Sequence, residues 1–331
     1  GSDRLREVVR NMRRFILERG GEIRFHCRLE DVLLRGGALQ GVLLRDVRTG
    51  REERVDASEL VLAVGHSARD TFRMLHGRGF AMQAREFAVG VRIEHLQEKI
   101  DIAQYGRKRG ALPVADYKLV SHAGERTAFT FCMCPGGYVM PAASEAGGVV
   151  TNGMSDYARD AVNANSALLA QVRLSDFDRG GVLDGVEFQR ALERAAFRAG
   201  GGGYAAPVQR AEDFLLGRRT SAFGEVLPSY AAGTAMGELN EILPPPIVSS
   251  LKAALADMDR RLHGFAHPDA LLTGVETRFS APVRILRGQT LESVSAAGVY
   301  PCGEGCGYSG GITSSAADGI RVAEAICAKY S

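Results

Sequence analysis

The chain has 331 residues, of which 45% are hydrophobic and 24% charged, which is typical of a globular protein with room for two domains. Its 41 basic and 39 acidic residues give a formal net charge of +2, so there is no electrostatic reason to expect a nucleic-acid partner. No apolar run approaches the roughly 20 residues that span a bilayer, and we expect no membrane partner either.

The cysteines predict the cellular compartment, and the start of the sequence predicts that the chain is part of a longer protein. The six cysteines come without a secretory segment, so reduced thiols in the cytoplasm are expected. The chain begins Gly1-Ser2 without a methionine, which reads as a remnant of cloning. We therefore expect a trimmed part of a longer protein.

The first 85 residues predict half of a layered α/β domain. Apolar residues recur at helical spacing over residues 3–19, and Gly20 and Gly21 end that helix. Strands are predicted at residues 22–27, 31–35, 38–47, 53–55 and 59–65. The last of these is a continuous apolar run, which is typical of a strand buried on both faces, and Ser67 is predicted to cap the helix that follows.

From about residue 86 the pattern changes to strands separated by glycine-rich turns, which favours an antiparallel sheet. These strands are predicted at residues 88–96, 116–122, 126–134, 137–143 and 148–154. Helices are predicted over 185–200 and, after three prolines, over 247–262. The last strand and helix again show the α/β pattern of the first 85 residues. The fold class predicted is α/β plus α+β, with an α/β domain contributed by both ends and an inserted antiparallel-sheet α+β domain.

The closing segment contains the spacing Gly305-x-Gly307-x-x-Gly310, which is that of a dinucleotide-binding loop. No further strand or ribose-binding acid follows it, so it fails as the opening phosphate loop of such a domain. A helix beginning near Gly311 would instead present free amides and its positive dipole end to a ligand. Glu304 in the same loop could accept hydrogen bonds from a polyol.

Pairs of cysteines and of histidines are candidates for metal or redox sites. Cys132-x-Cys134 is not a CxxC motif, and alternation along a strand would place both on one face, where packing explains them. His263 and His267 have i, i+4 spacing, but intervening glycine and following proline disfavour a continuous helix, so no metal site is predicted. A redox role for Cys134 or Cys302 stays open.

Other candidates have structural alternatives of similar weight. Glu276 and Arg278 could anchor a substrate or a flavin, or could form a structural ion pair on a connecting strand. Tyr138 and Tyr308 could flank a ring, although aromatic residues beside glycines more often pack. The catalytic candidates are therefore Cys134, Glu276 and Arg278.

Several long stretches resemble a family of uncharacterised bacterial FAD-dependent dehydrogenases, and the resemblance extends over nearly the whole chain. The stretches are VLAVGHSARDTF (61–72), FCMCPGGYV (131–139), VVTNGMS (149–155), GVETRFSAPVRI (274–285) and GVYPCGEGCGYSGGI (298–312). The resemblance implies an incomplete Rossmann-like FAD domain at residues 3–85 and 283–331, with an inserted substrate or cap domain at 86–282. Family members carry an N-terminal strand, a GxGxxG loop and a first helix, which this sequence lacks.

The resemblance also implies which residues contact the cofactor. The adenine is expected near the backbone of Leu29, and the strand that ends at Ala63 and Gly65 is expected to approach the nucleotide. Glu304, next to Gly303, is expected to hold the ribitol. The amides at the start of the last helix are expected to face the pyrimidine edge of the flavin and to stabilise negative charge on it. These last residues are Gly310, Gly311, Ile312 and Thr313.

Two classes of function follow. The first is the C-terminal portion of an FAD-dependent oxidoreductase with a small-molecule substrate and, as a candidate co-substrate, NADH or NADPH. The second is a non-catalytic binding or scaffold domain derived from a flavoprotein fold. The resemblance implies FAD in the full-length protein. Because the phosphate loop is missing from this chain, we expect weak or no FAD binding by the chain alone.

Overall fold

The computed structural model describes residues 1–106 and 110–331. These form two compact units, which we consider separately. The first unit comprises Gly1–Phe15, Ala88–Val172 and Gln189–Thr277, and the second comprises Ile16–Phe87, Arg173–Phe188 and Arg278–Ser331. The division into a partial FAD domain and an inserted cap domain stays a prediction.

The described residues form α-helices and β-strands in mixed order. The helices are α1 (Ser2–Glu18), α2 (Arg69–Gly77), α3 (Gln97–Tyr105), α4 (Asp184–Ala199), α5 (Ala211–Leu216), α6 (Pro245–Asp259) and α7 (Ile312–Lys329). The first eight strands are β1 (Cys27–Arg35), β2 (Ala38–Asp46), β3 (Glu52–Asp56), β4 (Leu60–Leu62), β5 (Met82–Ala84), β6 (Phe87–Leu96), β7 (Val120–Ser121) and β8 (Ala128–Cys134). The others are β9 (Gly137–Pro141), β10 (Thr151–Ser155), β11 (Asn163–Val172), β12 (Ala206–Arg210), β13 (Thr234–Met236), β14 (Leu271–Glu276), β15 (Val283–Ile285) and β16 (Val299–Pro301).

The first unit is built on a seven-stranded mixed sheet of order β13-β12-β14-β6-β11-β8-β7. β12 pairs parallel with β13 and antiparallel with β14, and β11 pairs antiparallel with β8. Helix α6 packs on β7, β8 and β11. Its buried residues recur every three or four positions, as the sequence predicted, so its apolar stripe forms part of the core. They are Ile247, Ser250, Leu251, Ala254, Leu255 and Met258.

The second unit contains three small sheets. β1, β2 and β3 form an antiparallel sheet in that order, which includes the predicted hairpin around Gly36 and Gly37. β5 pairs antiparallel with β15, and β4 pairs parallel with β16. The unit has its own core, which includes Leu62, Phe72, Leu75, Val283, Ile285 and Val299. A mixed α/β fold with one large and several small sheets is thus observed, and the Rossmann-like assignment stays a prediction.

Three local predictions in the second unit are wrong. The strand expected over 22–27 begins only at Cys27, because His26 has φ 56°, which interrupts the extended backbone before that residue. The buried strand expected over 59–65 is limited to β4, and the chain turns at Gly65, which has φ 72°. Ser67 does not cap α2, whose N-cap is Ala68.

Helix α1 matches its predicted position, but it buries none of its residues. Its apolar face carries Val9 and Met12, which are 58% and 59% exposed. Amphipathic spacing alone therefore predicted the helix correctly without showing what it packs against. Within the described residues, no helix is both long enough and apolar enough to cross a membrane.

Candidate functional site

The loop between β16 and α7 in the second unit is a closely packed structure that requires its glycines. Gly303 and Gly307 have φ of 76° and 85°, a conformation that favours glycine. At Gly305 an added Cβ would lie 2.1 Å from the carbonyl oxygen of Gly65. The glycine spacing noted in the sequence therefore lets this loop pack against the turn that follows β4.

A buried ion pair fixes the start of the loop. The backbone amide of Gly303 donates a 2.8 Å hydrogen bond to Oδ2 of Asp318 on α7. Both Asp318 oxygens also accept from Arg287, at 2.7 and 3.0 Å, in a bidentate arrangement. Burial alone would raise the pKa of Asp318, but the bonds from Arg287 and Gly303 outweigh it and hold that pKa below its usual value.

Tyr308 packs against Arg287 of this ion pair. The guanidinium of Arg287 lies 3.7 Å from the centroid of the Tyr308 ring, and the Tyr308 hydroxyl donates to the carbonyl of Ile285. The carbonyl of Gly307 accepts from Arg85 at 2.6 Å and from Arg284 at 3.1 Å. Tyr308 thus has a structural role here, and the loop is held at both its ends.

The predicted flavin contacts lie on the open side of this loop. Glu304 is partly buried, and its Oε1 lies 3.1 Å from Nδ1 of His66. Gly311 is the N-cap of α7, and no side chain caps this helix end. At Gly310 and Gly311 an added Cβ would meet no atom within 4 Å. The first turn of α7, with Ile312 and Thr313, is exposed.

The predicted nucleotide contacts belong to the same unit. Leu29 on β1 is half-buried opposite Leu44 and packs against the core of the unit. Ala63 follows β4 directly and is exposed, and Gly65 forms the turn against which Gly305 packs. Their roles in binding adenine and nucleotide stay predictions.

The residues present fit one edge of a flavin. The uncapped amides at the start of α7 are unused donors next to open space, which suits an acceptor-rich ring edge. The carboxylate of Glu304 is an acceptor for sugar hydroxyls. Gly303, which is buried, positions Glu304 through its bond to Asp318.

The two cysteines of this loop are packing groups. Cys302 and Cys306 are both buried, and the Cys306 thiol donates to the carbonyl of Leu62 at 3.1 Å. Burial raises the pKa of the Cys302 thiol to about 11 and that of Cys306 to about 12. Such thiols carry almost no thiolate at neutral pH, which disfavours the redox role left open for Cys302.

A second polar cluster lies in the first unit, around Arg92 on β6. Arg92 is fully buried and donates to Oε2 of Glu276 at 3.1 Å and to Oδ1 of Asn165 at 2.8 Å. It also donates to the carbonyl of Cys132 at 2.5 Å and to the sulfur of Cys134 at 3.4 Å. Two of the three catalytic candidates, Cys134 and Glu276, are thus brought together, through an arginine that the sequence analysis did not single out.

Two β-bulges give this cluster its geometry. On β14, Gly274 pairs with Val91 and Glu276 pairs with Gly90, so Val275 is an extra residue. Regular pairing would place Glu276 on the opposite face of the sheet from Arg92. On β8, Cys134 pairs with Asn165 and Phe131 with Ala167, which leaves one extra residue at Cys132 and Met133.

Simple alternation along β8 would place Cys132 and Cys134 on the same face of the sheet. Because of the bulge, the two side chains differ in exposure. Cys132 has φ 44° and is exposed, whereas Cys134 is only 6% exposed. Burial raises the pKa of Glu276 to about 7, although Arg92 acts in the opposite direction. The cluster therefore combines an exposed thiol, a buried thiol, a fixed positive charge and a carboxyl group that titrates near neutral pH.

Replacing Gly153 with alanine should disturb this cluster. An added Cβ at Gly153 on β10 would lie 2.0 Å from Nη2 of Arg92 and 2.3 Å from Oδ1 of Asn165. We expect Gly153→Ala to lower the free energy of unfolding by about 1–3 kcal/mol, the usual cost of overpacking. Urea unfolding measures it, with Gly203→Ala as control, because a Cβ there meets nothing within 4 Å. Equal stability of the two variants would contradict the arrangement.

The third catalytic candidate, Arg278, belongs to the second unit. Its Nη1 donates to the hydroxyl of Ser67 at 2.8 Å. In the first unit, Glu276 forms an ion pair with Arg92 at 3.1 Å, and the choice between an anchoring and a structural role for Arg278 stays a prediction. Tyr138, on β9 of the first unit, is 38% exposed.

Of the two histidines with the spacing of metal ligands, His267 lies in an ion-pair network. Glu225, His267 and Asp269 offer ligand atoms within 4.8 Å of one another, and His263 does not belong to this group. Lys99 pairs with Glu225, and Arg210 pairs with Asp269 at 2.6 Å. Because these cations already neutralise the carboxylates, the group is explained as an ion-pair network.

Comparisons with known proteins identify one curated relative and two solved structures that are similar to this chain. An uncharacterized protein of Clostridium beijerinckii is 47% identical over 334 residues, covering 100% of this chain and 62% of the relative, so the chain spans less than two thirds of that relative's length. Two solved structures also match, each with a TM-score of 0.27, at which neither likeness bears on function. One is the myxobacterial chondrochloren halogenase CndH, described as a variant of FAD-dependent halogenases, at 16% identity over 54% of this chain and 31% of that one. The other is the flavin-dependent brominase Bmp2, at 13% identity over 76% of this chain and 53% of that one.

The match that decides the family covers most of the first unit. Residues 86–279 match the family described as FAD-dependent protein, C-terminal domain-like. These residues include the cluster around Arg92 and the seven-stranded sheet that carries it. The chain belongs to this family of FAD-dependent proteins.

Proposed function

We propose that the chain is the C-terminal portion of an FAD-dependent oxidoreductase, a dehydrogenase acting on a small molecule. Membership of the FAD-dependent family supports the cofactor. The coverage of only 62% of the Clostridium beijerinckii relative supports a longer parent protein. The observation that carries the proposal is the preformed loop before α7, with its anchored Gly303, its half-buried Glu304 and its uncapped helix end.

Each part of the loop has a distinct task in this proposal. When bound, the flavin exchanges a hydride with the substrate and with a second partner, for which NADH or NADPH is the candidate. The amides at the start of α7 bind the electron-rich edge of the ring and stabilise negative charge there. Glu304 orients the ribityl chain, and Asp318 keeps Gly303 and Glu304 in place.

Substitution of Glu304 in the proposed full-length parent tests the assignment. Glu304→Ala should weaken FAD binding about 10-fold or more, because a charged acceptor contributes about 1.5–3 kcal/mol. Glu304→Gln keeps one acceptor oxygen and should lose less. Titration of the apoprotein with FAD, followed by flavin fluorescence, measures both affinities.

Two outcomes would count against the proposal. Unchanged FAD affinity in Glu304→Ala would remove this residue from the site. Strong FAD binding by the present chain alone would contradict the need for an upstream phosphate loop. A parent protein that binds no FAD would instead favour a scaffold domain derived from a flavoprotein fold.

A further inference from the structure

The two cysteines on β8 lie close together but in different surroundings. Cys132 is exposed on the bulge, whereas Cys134 is buried beside Arg92. The thiol of Cys134 donates to the carbonyl oxygen of Cys132 at 3.3 Å, which places its sulfur next to the backbone of Cys132. One thiol is therefore open to solvent, and the other is held behind it.

The charges around the pair favour a thiolate on the exposed member. The hydrogen bond from Cys134 lowers the pKa of Cys132 most, burial opposes it, and the positive charge of Arg92 lowers it further, to about 6. The same hydrogen bond, together with burial, raises the pKa of Cys134. The carboxyl group of Glu276, from β14, also acts on Cys134 and raises its pKa, and Arg92 forms an ion pair with that carboxyl group. Exposed low-pKa thiols next to a cation are the reactive ones in proteins.

The backbone allows the two sulfurs to join. Two residues of fully extended strand rise about 6.6 Å, which is near the upper end of the roughly 4.4–6.8 Å range of Cα separations found in disulfides, and the bulge at Cys132 bends the strand and shortens this span. The sulfur of Cys134 already lies over the Cys132 backbone. A disulfide between these residues therefore needs rotation of side chains rather than movement of the strand.

We propose that Cys132 and Cys134 form a dithiol–disulfide couple that reacts with small-molecule disulfides. The Cys132 thiolate attacks one sulfur of the disulfide, whose S–S bond breaks and releases one thiolate. In the mixed disulfide Cys132 is no longer a thiolate, so its hydrogen bond no longer holds the proton on Cys134, and Arg92 stabilises the Cys134 thiolate. This thiolate attacks the Cys132 sulfur and breaks the mixed disulfide, and the proton lost by Cys134 passes to the second leaving thiolate. The protein loses two electrons and the small disulfide gains them. Arg92 is a positioning group in this scheme, since it holds the Cys134 sulfur and stabilises the thiolate.

The chain offers a direct readout of this reaction. The tryptic peptide of residues 127–159 contains both cysteines and no other. After incubation of the reduced protein with glutathione disulfide, we expect this peptide to lose the mass of two hydrogens. In Cys134→Ser a glutathione adduct should instead accumulate on Cys132. The exposed Cys327 serves as the matched control and should carry a stable glutathione adduct in both proteins.

The pH dependence of alkylation separates this reactivity from mere exposure. The rate of iodoacetamide labelling at Cys132 should have its midpoint near pH 6. Cys134→Ala removes the hydrogen-bond donor and should raise that midpoint by about one pH unit, whereas Cys134→Ser keeps a donor and should leave it low.

Specific results would overturn the proposal. A glutathione adduct that persists on Cys132 in the unmodified chain would show that Cys134 does not resolve it. A midpoint above pH 8, or labelling of Cys132 no faster than that of Cys327 at pH 6.5, would show that Cys132 is an ordinary thiol. None of these measurements requires a bound flavin, so they are independent of the proposed function.

Discussion

Replacing Arg92 with methionine is expected to lower the free energy of unfolding by about 3–5 kcal/mol, the usual cost of removing one partner of a buried ion pair. Arg92 is fully buried, and methionine fills a similar space without a charge or donors. The substitution would leave Glu276 buried without its cation, and would leave Asn165 and the Cys132 carbonyl without their donor. Urea unfolding followed by circular dichroism measures the loss.

The matched control is the double substitution of Arg92 and Glu276 with methionine. Because it removes both charges, we expect it to recover a large part of the stability lost in the single variant. If the single variant were as stable as the unmodified chain, the account of the cluster around Arg92 would be wrong. If the double variant were no better than the single one, the ion pair would not be the source of the loss.

Replacing Asp318 with alanine is expected to open the loop that precedes α7. The substitution removes the acceptor of the Gly303 amide and leaves the partly buried guanidinium of Arg287 without its carboxylate partner. A loss of about 3 kcal/mol corresponds to roughly 100-fold faster hydrogen exchange at the amides of the loop. Hydrogen-exchange mass spectrometry on peptides covering residues 302–312 measures this change.

Asp318→Asn is the control for this second prediction. Asparagine keeps one oxygen that can accept from Gly303, so we expect exchange rates between those of the unmodified protein and Asp318→Ala. Hydrogen exchange in β1 and β2 should change little, because the hydrogen bonds of Asp318 go to Arg287 and Gly303. Uniformly faster exchange throughout the second unit would mean that Asp318 stabilises the unit as a whole and not the loop in particular.

The sequence predicted elements well where a local signal existed. The hairpin of β1 and β2 follows from Gly36 and Gly37 between apolar runs, and α7 begins at Ile312 as the glycine-rich segment indicated. Strand β11 was missed, although it lies near the middle of the large sheet. Its sequence, NANSALLAQV, lacks alternation and begins with the turn residues Asn and Ser, and its alanines and leucines favour helix as much as strand.

The candidate sites depended on pairings that no local pattern reveals. Asp318 and Arg287 are 31 residues apart, and only the fold brings them together at Gly303. Arg92 alternates with apolar residues in β6, and such a pattern usually indicates a solvent-facing side chain. The bulges at Val275 and Cys132 shift the register by one residue, which reverses the face that alternation assigns.

The central claim is that this chain is part of an FAD-dependent oxidoreductase, and the absorption spectrum of the proposed full-length parent tests it most directly. We expect the purified parent to be yellow, with the absorption bands of oxidised FAD, and expect NADH or NADPH to bleach them. The present chain, purified in the same way, should be colourless. A parent that stays colourless after incubation with FAD would contradict the account.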